Sequence, residues 1–596
     1  MKNRKLELFR TYMSDRSLSA FIVPSSDPHF GEYIQEHYKC MEWLSGFNGS
    51  AGTLVVTLKN AALWTDSRYF VQAENQLQGS GIELKKLKIP GTESIDKWLT
   101  DKLEKGSKVG VDANLFSLAE FNSLKEQLFP LELVMCGDPF EIVWKERPSL
   151  YSKEITYLDE EYSGESIASK HKRVLNAIDY KGDFIYLVSV CDDIAWLCNI
   201  RGSDIEFNPL ALSYVAITKQ SITLFAKKSA ISAQILEKLK SGGVRVEDYN
   251  GFTDFISIYS KESVRIASRE KISVKNAAAA QKNGATFIAD RQRGGVIANL
   301  KSIKNSTEIE GFKRAMLLDS IAWIKMWIFL DGNLINGKST LTEWDVAAKL
   351  ISFRSECKDY IGESFGPISA FGKNGALPHY EPSERASDII GREGFLLVDT
   401  GGQYTFGTTD TTRTFALGNL TQEQKRDYTL VLKGMINLSM AKFPKGTRGA
   451  SLDVLARGPI CSAAKIYLHG TGHGIGHRLC VHEGPQSIRM EENPVTLEPG
   501  MVISNEPAVY ENGSYGIRIE NTILCKEWTE SQYGTFYQFE TLTLIPIDTK
   551  PVDKEILGKE AIEWLNEYHS TVYEKLAPYL SEPEKKWLAV KTADIY

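Results

Sequence analysis

The stretch His469-Gly470-Thr471-Gly472-His473-Gly474-Ile475-Gly476-His477, followed closely by His482-Glu483-Gly484-Pro485, decides how the chain folds around its chemistry. Four of the nine histidines fall between His469 and His482. Neutral imidazole is both a metal ligand and a proton carrier near neutral pH. The alternating glycines let a backbone approach a bound group closely. The segment therefore reads as a tight, histidine-lined loop. His469/His473 and His473/His477 share the i, i+4 spacing of a helical zinc site. Such a site needs a Glu directly after the first His, where this chain has Gly470, and the glycines disfavour a helix. No Gly-x-Gly-x-x-Gly register fits Gly470 to Gly476, so a dinucleotide loop is set aside.

Working outward, carboxylates stand at the ends of apolar runs. Phe395-Leu396-Leu397-Val398 leads straight into Asp399; the chain turns through Thr400 to Tyr404 and returns from Asp410 to Phe415. Two buried carboxylates on neighbouring strands repel unless a proton or cation lies between them. Met501-Val502-Ile503-Ser504-Asn505 delivers Glu506 in the same way. In Gly516 to Thr522 a period of two puts Arg518, Glu520 and Thr522 on one face and Ile517 and Ile519 on the other. Each of these has a plain reading as a turn acid, a surface acid or a solvent-facing strand. Taken together, Asp399, Asp410, His473, Glu506 and Glu520 are four carboxylates and one imidazole, a charge balance suited to two divalent ions with a bridging hydroxide. Hard oxygen ligands with one nitrogen favour manganese-like ions. Two metals ~3.5–4 Å apart clamp a hydroxide and polarise a carbonyl.

A rival motif, Gly362-Glu363-Ser364-Phe365-Gly366, fits the serine-hydrolase elbow, but Pro367 and a strand-like run follow where that elbow needs a helix. Gly375-Ala376-Leu377-Pro378-His379-Tyr380 places another histidine on an irregular segment. Asn305-Ser306-Thr307-Glu308 starts a helix running through Ile309, Phe312, Met316 and Ile321 toward Trp327, and another helix covers about Leu341 to Arg354.

The first half reads as two related α/β modules. The first has an amphipathic helix (Leu6, Leu8, Phe9, Met13), a strand at Ala20 to Pro24, a turn at Asn48-Gly49 and strands at Thr53 to Thr57 and Ala61 to Thr65. A helix opens at Arg68, and the module ends near Pro148. The charged stretch from Lys153 to Glu165 reads as a solvated linker. The second module repeats the order with Phe184 to Val188, Ala195 to Gly202, Tyr214 to Thr218 and Ser221 to Phe225, and ends near residue 300. Neither half shows a dense group of candidate ligands, so both are assigned scaffold and access roles.

At 596 residues the chain has room for two to four domains. A net charge of −6 gives no basic balance toward nucleic acid or an anionic membrane. The eight cysteines are scattered without a Cys-x-x-Cys pair, which suits a reducing, cytoplasmic setting. The N-terminus lacks the apolar core of a signal peptide, and no run of ~18 apolar residues predicts a membrane span.

With these residues in place, the chain resembles the pita-bread (M24-type) metallopeptidases, the group of methionine aminopeptidase, prolidase and aminopeptidase P. The likeness rests on Asp399/Asp410, the His473 loop, Glu506 before proline and Glu520 in Ile517-Arg518-Ile519-Glu520. Further matches place it closest to the long, three-domain aminopeptidase P type. They are Gly46 to Gly52, Trp64 to Phe70, Asn374 to Tyr380, His469 to Gly476 and Trp564 to His569. The resemblance implies an α/β (α+β) fold: creatinase-like domains at 1–152 and 153–303, then a pita-bread catalytic domain with a C-terminal helical extension at 304–596. It implies hydrolysis of the bond between an N-terminal residue and a penultimate proline by a hydroxide bridging two Mn²⁺ ions. Ordinary aminopeptidases handle that bond poorly because proline lacks an N–H and fixes φ. By similarity, Asp399 binds one metal and His473 and Glu506 the other, Asp410 and Glu520 bridge them, and Glu506 also shuttles a proton. His379, His469 and His482 carry over as non-ligand catalytic histidines that position substrate and stabilise the tetrahedral intermediate, while His477 is left structural. The implied partners are peptides with proline second and a second copy of the chain in a homodimer, with no nucleic acid and no membrane. The alternatives are a prolidase-type dipeptidase, a metal-free creatinase-type hydrolase and a non-catalytic binding protein on the same fold.

Overall fold

Alternating apolar residues build the first module. In the strand Ala20–Pro24, Phe21 and Val23 join a core with Leu6, Phe9 and Met13, while Ala20 and Ile22 join another with Trp98, Val109 and Val111. Both faces are covered, as a sheet with parallel connections requires. The computed structural model describes residues 4–258, 264–335 and 340–596. They divide into two units, one of Met1–Leu158 with Glu165–Leu300 and one of Asp159–Gly164 with Lys301–Tyr596.

The first unit carries two six-stranded sheets of the same topology. One runs Glu83–Lys86, Ala61–Thr65, Thr53–Thr57, Ala20–Pro24, Lys108–Asp112, Glu132–Cys136. The other runs Val244–Asp248, Ile222–Ala226, Ser213–Ile217, Phe184–Val188, Val264–Ser268, Phe287–Asp290. Each strand pair has the same sense in the two sheets, antiparallel next to the first strand on one side and parallel on the other. The duplication read from the strand order is therefore present in the topology. The charged run from Lys153 to Glu165 is not a solvated linker. Ile155 and Leu158 are buried, Thr156–Tyr157 pairs with Ile200–Arg201, and Glu160–Ser163 is a short helix of the second unit, where Ser163 O accepts from Asn305 Nδ2. Two apolar side chains spaced through the run outweigh its charges.

The second unit is organised on the helix Ser306–Ile335. Asn305 and Glu308 cap it reciprocally, Asn305 Oδ1 accepting from Glu308 N and Glu308 Oε2 from Asn305 N. It continues past Trp327 because Trp323, Met326, Trp327 and Leu330 keep one face buried against Leu396, Val398 and Phe415. Those residues belong to a three-stranded sheet, Ile368–Phe371, Gly394–Thr400, Thr411–Leu417. A six-stranded sheet follows the order Lys442–Pro444, Gly534–Thr541, Asn521–Ser531, Val502–Asn505, Gly472–Gly474, Glu483–Ile488. The histidine-rich stretch is thus a loop only in part, since Gly472–Gly474 is a strand with His473 opposite Ser487. Gly472 makes this possible: a Cβ there would lie 1.9 Å from Ser504 O.

Candidate metal centre

Strand ends converge on one buried spot. In the pair Gly394–Thr400 and Thr411–Leu417, Asp399 lies opposite Thr412, and Asp410 immediately precedes the second strand. The strand Val502–Asn505 ends at Glu506, whose N–H donates to Thr471 O (2.8 Å) and so ties it to the histidine segment. The alternation from Gly516 to Thr522 is two strands, Tyr515–Arg518 and Asn521–Ser531, with Ile519 and Glu520 between them. Its polar residues do not meet solvent: Arg518 is 3% exposed and Glu520 1%. Thr412 joins them, its Oγ1 donating to Glu520 Oε2 (2.7 Å) and accepting from Arg518 Nε (3.2 Å).

Asp410, His473 and Glu520 each offer a ligand atom within 4.8 Å of the other two. His473 Nε2 lies 3.5 Å from Asp410 Oδ2 and 3.4 Å from Glu506 Oε1. His473 Nδ1 is 2.9 Å from Gly474 O; a carbonyl only accepts, so Nδ1 carries the proton and Nε2 presents its lone pair. Asp399 gives Oδ2 to Arg518 Nη2 (2.5 Å), while its Oδ1 is buried without a hydrogen-bond partner.

The charges do not balance with every carboxylate ionised and nothing between them. Burial, then the charges of Asp399 and Glu506, pushes the Asp410 carboxyl well above the ordinary carboxylate range. Burial, followed by Asp410, Glu506 and Asp399, does the same to Glu520. Burial also raises Glu506 to about 7, against the pull of Arg518. Carboxylates crowded this way need protons or metal ions among them. The hard oxygen donors, the imidazole Nε2 of His473 and the orphaned Asp399 Oδ1 fit divalent cations.

The remaining histidines lie in separate surroundings. The His482 ring stands edge-on to His473 with centroids 4.4 Å apart. His469 Nδ1 donates to Gly470 O (2.7 Å), and its Nε2 accepts from Tyr510 Oη (3.0 Å). Tyr510 Oη in turn accepts from Arg518 Nη1 (2.5 Å), so Asp399, Arg518, Tyr510 and His469 form one chain of contacts. His379 follows Pro378, whose carbonyl is 3.5 Å from Arg518 Nη2. His477 is buried against the start of the helix Ser306–Ile335, touching Phe312 and lying 3.9 Å from Glu308 Oε1. Ser364 Oγ donates to Thr409 O in a strand-turn context, with no helix after it to form an elbow. Sequence reasoning assigned no role to Arg518, Tyr510 or Thr412. The inward period of Arg518 and Glu520 was the available signal for the first, and Tyr510 left none.

Four regions of the chain match known family patterns in order. Residues 5–143 and 146–308 each match the Creatinase/Prolidase N-terminal domain, 310–527 match Metallopeptidase family M24, and 535–595 match the C-terminal region of peptidase M24. Xaa-Pro aminopeptidase 1 of Dictyostelium discoideum is 37% identical over 97% of this chain and 94% of its own length. The probable Xaa-Pro aminopeptidase P of Paracoccidioides brasiliensis is 36% identical over 100% and 99%. Among solved structures, the X-prolyl aminopeptidase of Caenorhabditis elegans, described as a cytosolic enzyme with a di-nuclear active site, superposes with a TM-score of 0.94 at 34% identity. That match covers 99% of both chains. The Xaa-Pro dipeptidase of Bacillus anthracis, at 24% identity and a TM-score of 0.51, covers 64% of this chain and shares the fold. Matched from its first module to its C-terminal helices, the chain belongs to metallopeptidase family M24, in the line of the full-length Xaa-Pro aminopeptidases.

Proposed function

We propose that the chain is a cytoplasmic, homodimeric Xaa-Pro aminopeptidase that uses two Mn²⁺ ions to hydrolyse the bond between a peptide's first residue and a penultimate proline. The division into creatinase-like domains at 1–152 and 153–303 and a catalytic domain at 304–596 is part of the same reading. The observation that carries it is the meeting of Asp410, His473 and Glu520 within 4.8 Å, with Glu506 beside His473, in a chain that matches such enzymes along its length. The Xaa-Pro dipeptidase of Bacillus anthracis covers 64% of the chain, whereas the full-length Xaa-Pro aminopeptidases cover nearly all of it. Among the described residues no helix is long and apolar enough to cross a membrane.

In this reading Asp399 would hold one ion and His473 and Glu506 the other, with Asp410 and Glu520 shared between them. Bound there, two divalent ions supply Lewis acidity at the scissile carbonyl and lower the pKa of a water. Arg518 neutralises Asp399 through Oδ2 and leaves its buried Oδ1 available to an ion. Ser504 Oγ donates to Glu506 Oε1 (3.1 Å), steadying the carboxylate that takes and returns the proton. His379, His469 and His482 orient the substrate and stabilise the oxygen that gains charge. Tyr510 fixes the ring of His469 for this task.

The test uses metal-stripped protein with an Xaa-Pro-Xaa tripeptide and its Xaa-Ala-Xaa analogue. Mn²⁺-dependent release of the first residue from the proline peptide alone is the expected result. Cleavage of both peptides would overturn the proline assignment. Cleavage of an Xaa-Pro dipeptide but not the tripeptide would make the chain a prolidase. No cleavage with two bound metals would make it a binding protein.

A further inference from the structure

His379 lies on a segment that the core holds only in part, through Tyr380 against Ile368, Ala370 and Leu397. From Glu381 to Ile389 all but two residues are exposed, so apolar burial fixes little of this chain. Hydrogen bonds hold it instead, and four of them end on one carboxylate. Glu343, the first residue of the helix Glu343–Arg354, is 0% exposed. Its Oε1 accepts from Phe371 N (2.6 Å) and Asn374 Nδ2 (2.9 Å). Its Oε2 accepts from Tyr380 Oη (2.6 Å) and Asp388 N (2.9 Å). No lysine or arginine pairs with it among the described residues. Nor does it cap its own helix, because Thr342 and Asp345 already form a reciprocal cap there.

The four donors lie at the start, middle and return of the segment 371–388. A buried carboxylate surrounded by neutral donors at a helix N-terminus makes strong, directional bonds. The opposite side of the segment rests on the strand Tyr515–Arg518. A Cβ on Gly516 would lie 1.7 Å from Gly375 O, and Pro378 O meets the arginine that holds Asp399. His379 therefore stands between one neighbour held by Arg518 and another held by Glu343.

We propose that Glu343 is a positioning residue for His379, setting the loop from which that histidine acts on substrate. This rests on the role given to His379 above. The test is a double-mutant cycle of Glu343→Gln and His379→Ala on metal-loaded protein, with amide exchange measured in parallel. Gln keeps the shape but cannot accept from all four donors. Glu343→Gln is expected to retain both metals and lower kcat about 10–100-fold, the range of outer-shell changes. It should also speed exchange at Phe371 and Asp388 while leaving the strand Gly394–Thr400 protected. In the His379→Ala background the same change should cost less than about threefold, since the two act as one unit. Tyr380→Phe, which removes one donor beside His379, should fall several-fold in kcat with metal content intact. Costs that multiply independently would overturn the proposal while leaving the role of His379 standing. Unchanged exchange at Phe371 and Asp388 would do the same. A silent His379→Ala would overturn both.

Discussion

His569 makes a quantitative prediction about acid stability. It is 0% exposed on the helix Lys559–Leu576, and its Nε2 accepts from the Ile547 N–H at 3.1 Å, so the folded ring is neutral. Burial, with the Arg413 guanidinium beside it, holds its pKa down at about 3. Arg413 is itself a hub: it donates to Thr412 O, to Glu520 O, to Pro546 O and Ile545 O, and to Tyr568 Oη. It thereby ties the strand after Asp410 to Glu520. A proton on His569 would put a second positive charge next to that hub. Unfolded, the histidine titrates near ~6.5 and binds the proton that the folded form refuses, so stability falls as pH falls below that value. The slope is ~1.4 kcal/mol per pH unit, which makes about 2 kcal/mol between pH 7.5 and pH 5. His569→Gln keeps an acceptor for Ile547 and removes the titration. Denaturant unfolding of both proteins at the two pH values, followed by a probe in the catalytic unit, should show the wild type losing about 2 kcal/mol more than the variant. Other titrating groups cancel in the difference. Equal losses in the two proteins, or a histidine resonance for residue 569 titrating near ~6.5 in the folded state, would refute the reasoning.

Three further outcomes test the centre. Asp410→Asn should lose a bound metal by elemental analysis and drop kcat/KM by more than about 100-fold, beyond the usual outer-shell cost; a fully active variant would remove Asp410 from the ligand set. His379→Ala should keep both metals while kcat falls about 10²–10³-fold, the cost of losing a donor to a developing oxyanion, and metal loss would instead make it a ligand. Gly472→Ala puts a Cβ 1.9 Å from Ser504 O, so the strands of His473 and Glu506 must part. Unfolding should show a loss of about 1–3 kcal/mol together with weakened Mn²⁺ binding in a titration, and wild-type affinity would mean the pairing is not what sets the site.

The positions of the candidate carboxylates were legible because strand periodicity is local. Asp399 follows the apolar run Phe395 to Val398 near the end of its strand, and Glu506 follows directly on the strand Val502–Asn505. The repeat of the N-terminal module was legible for the same reason, since strand spacing survives where side chains diverge. One feature was left open and another was misread. The polar face of Arg518 and Glu520 looks like a solvated face until something polar is known to meet it. The run from Lys153 to Glu165 looks solvated until Ile155 and Leu158 are seen to be buried.

By itself the sequence determined the fold class, the order of the modules and the set of carboxylates and histidines available for metal chemistry. Those properties follow from period, turn residues and residue type within a few positions of one another. Tertiary structure alone decided that Arg518 braces Asp399 and reaches His469 through Tyr510, and that Glu343 gathers donors from residues 371 to 388. It also decided that Arg413 joins the segments bearing Asp410 and Glu520. Apart from Tyr510, eight residues before Arg518, their partners lie tens to more than a hundred residues away in the chain. Pattern specifies which way a side chain faces, whereas only the packing of distant segments specifies what it meets there.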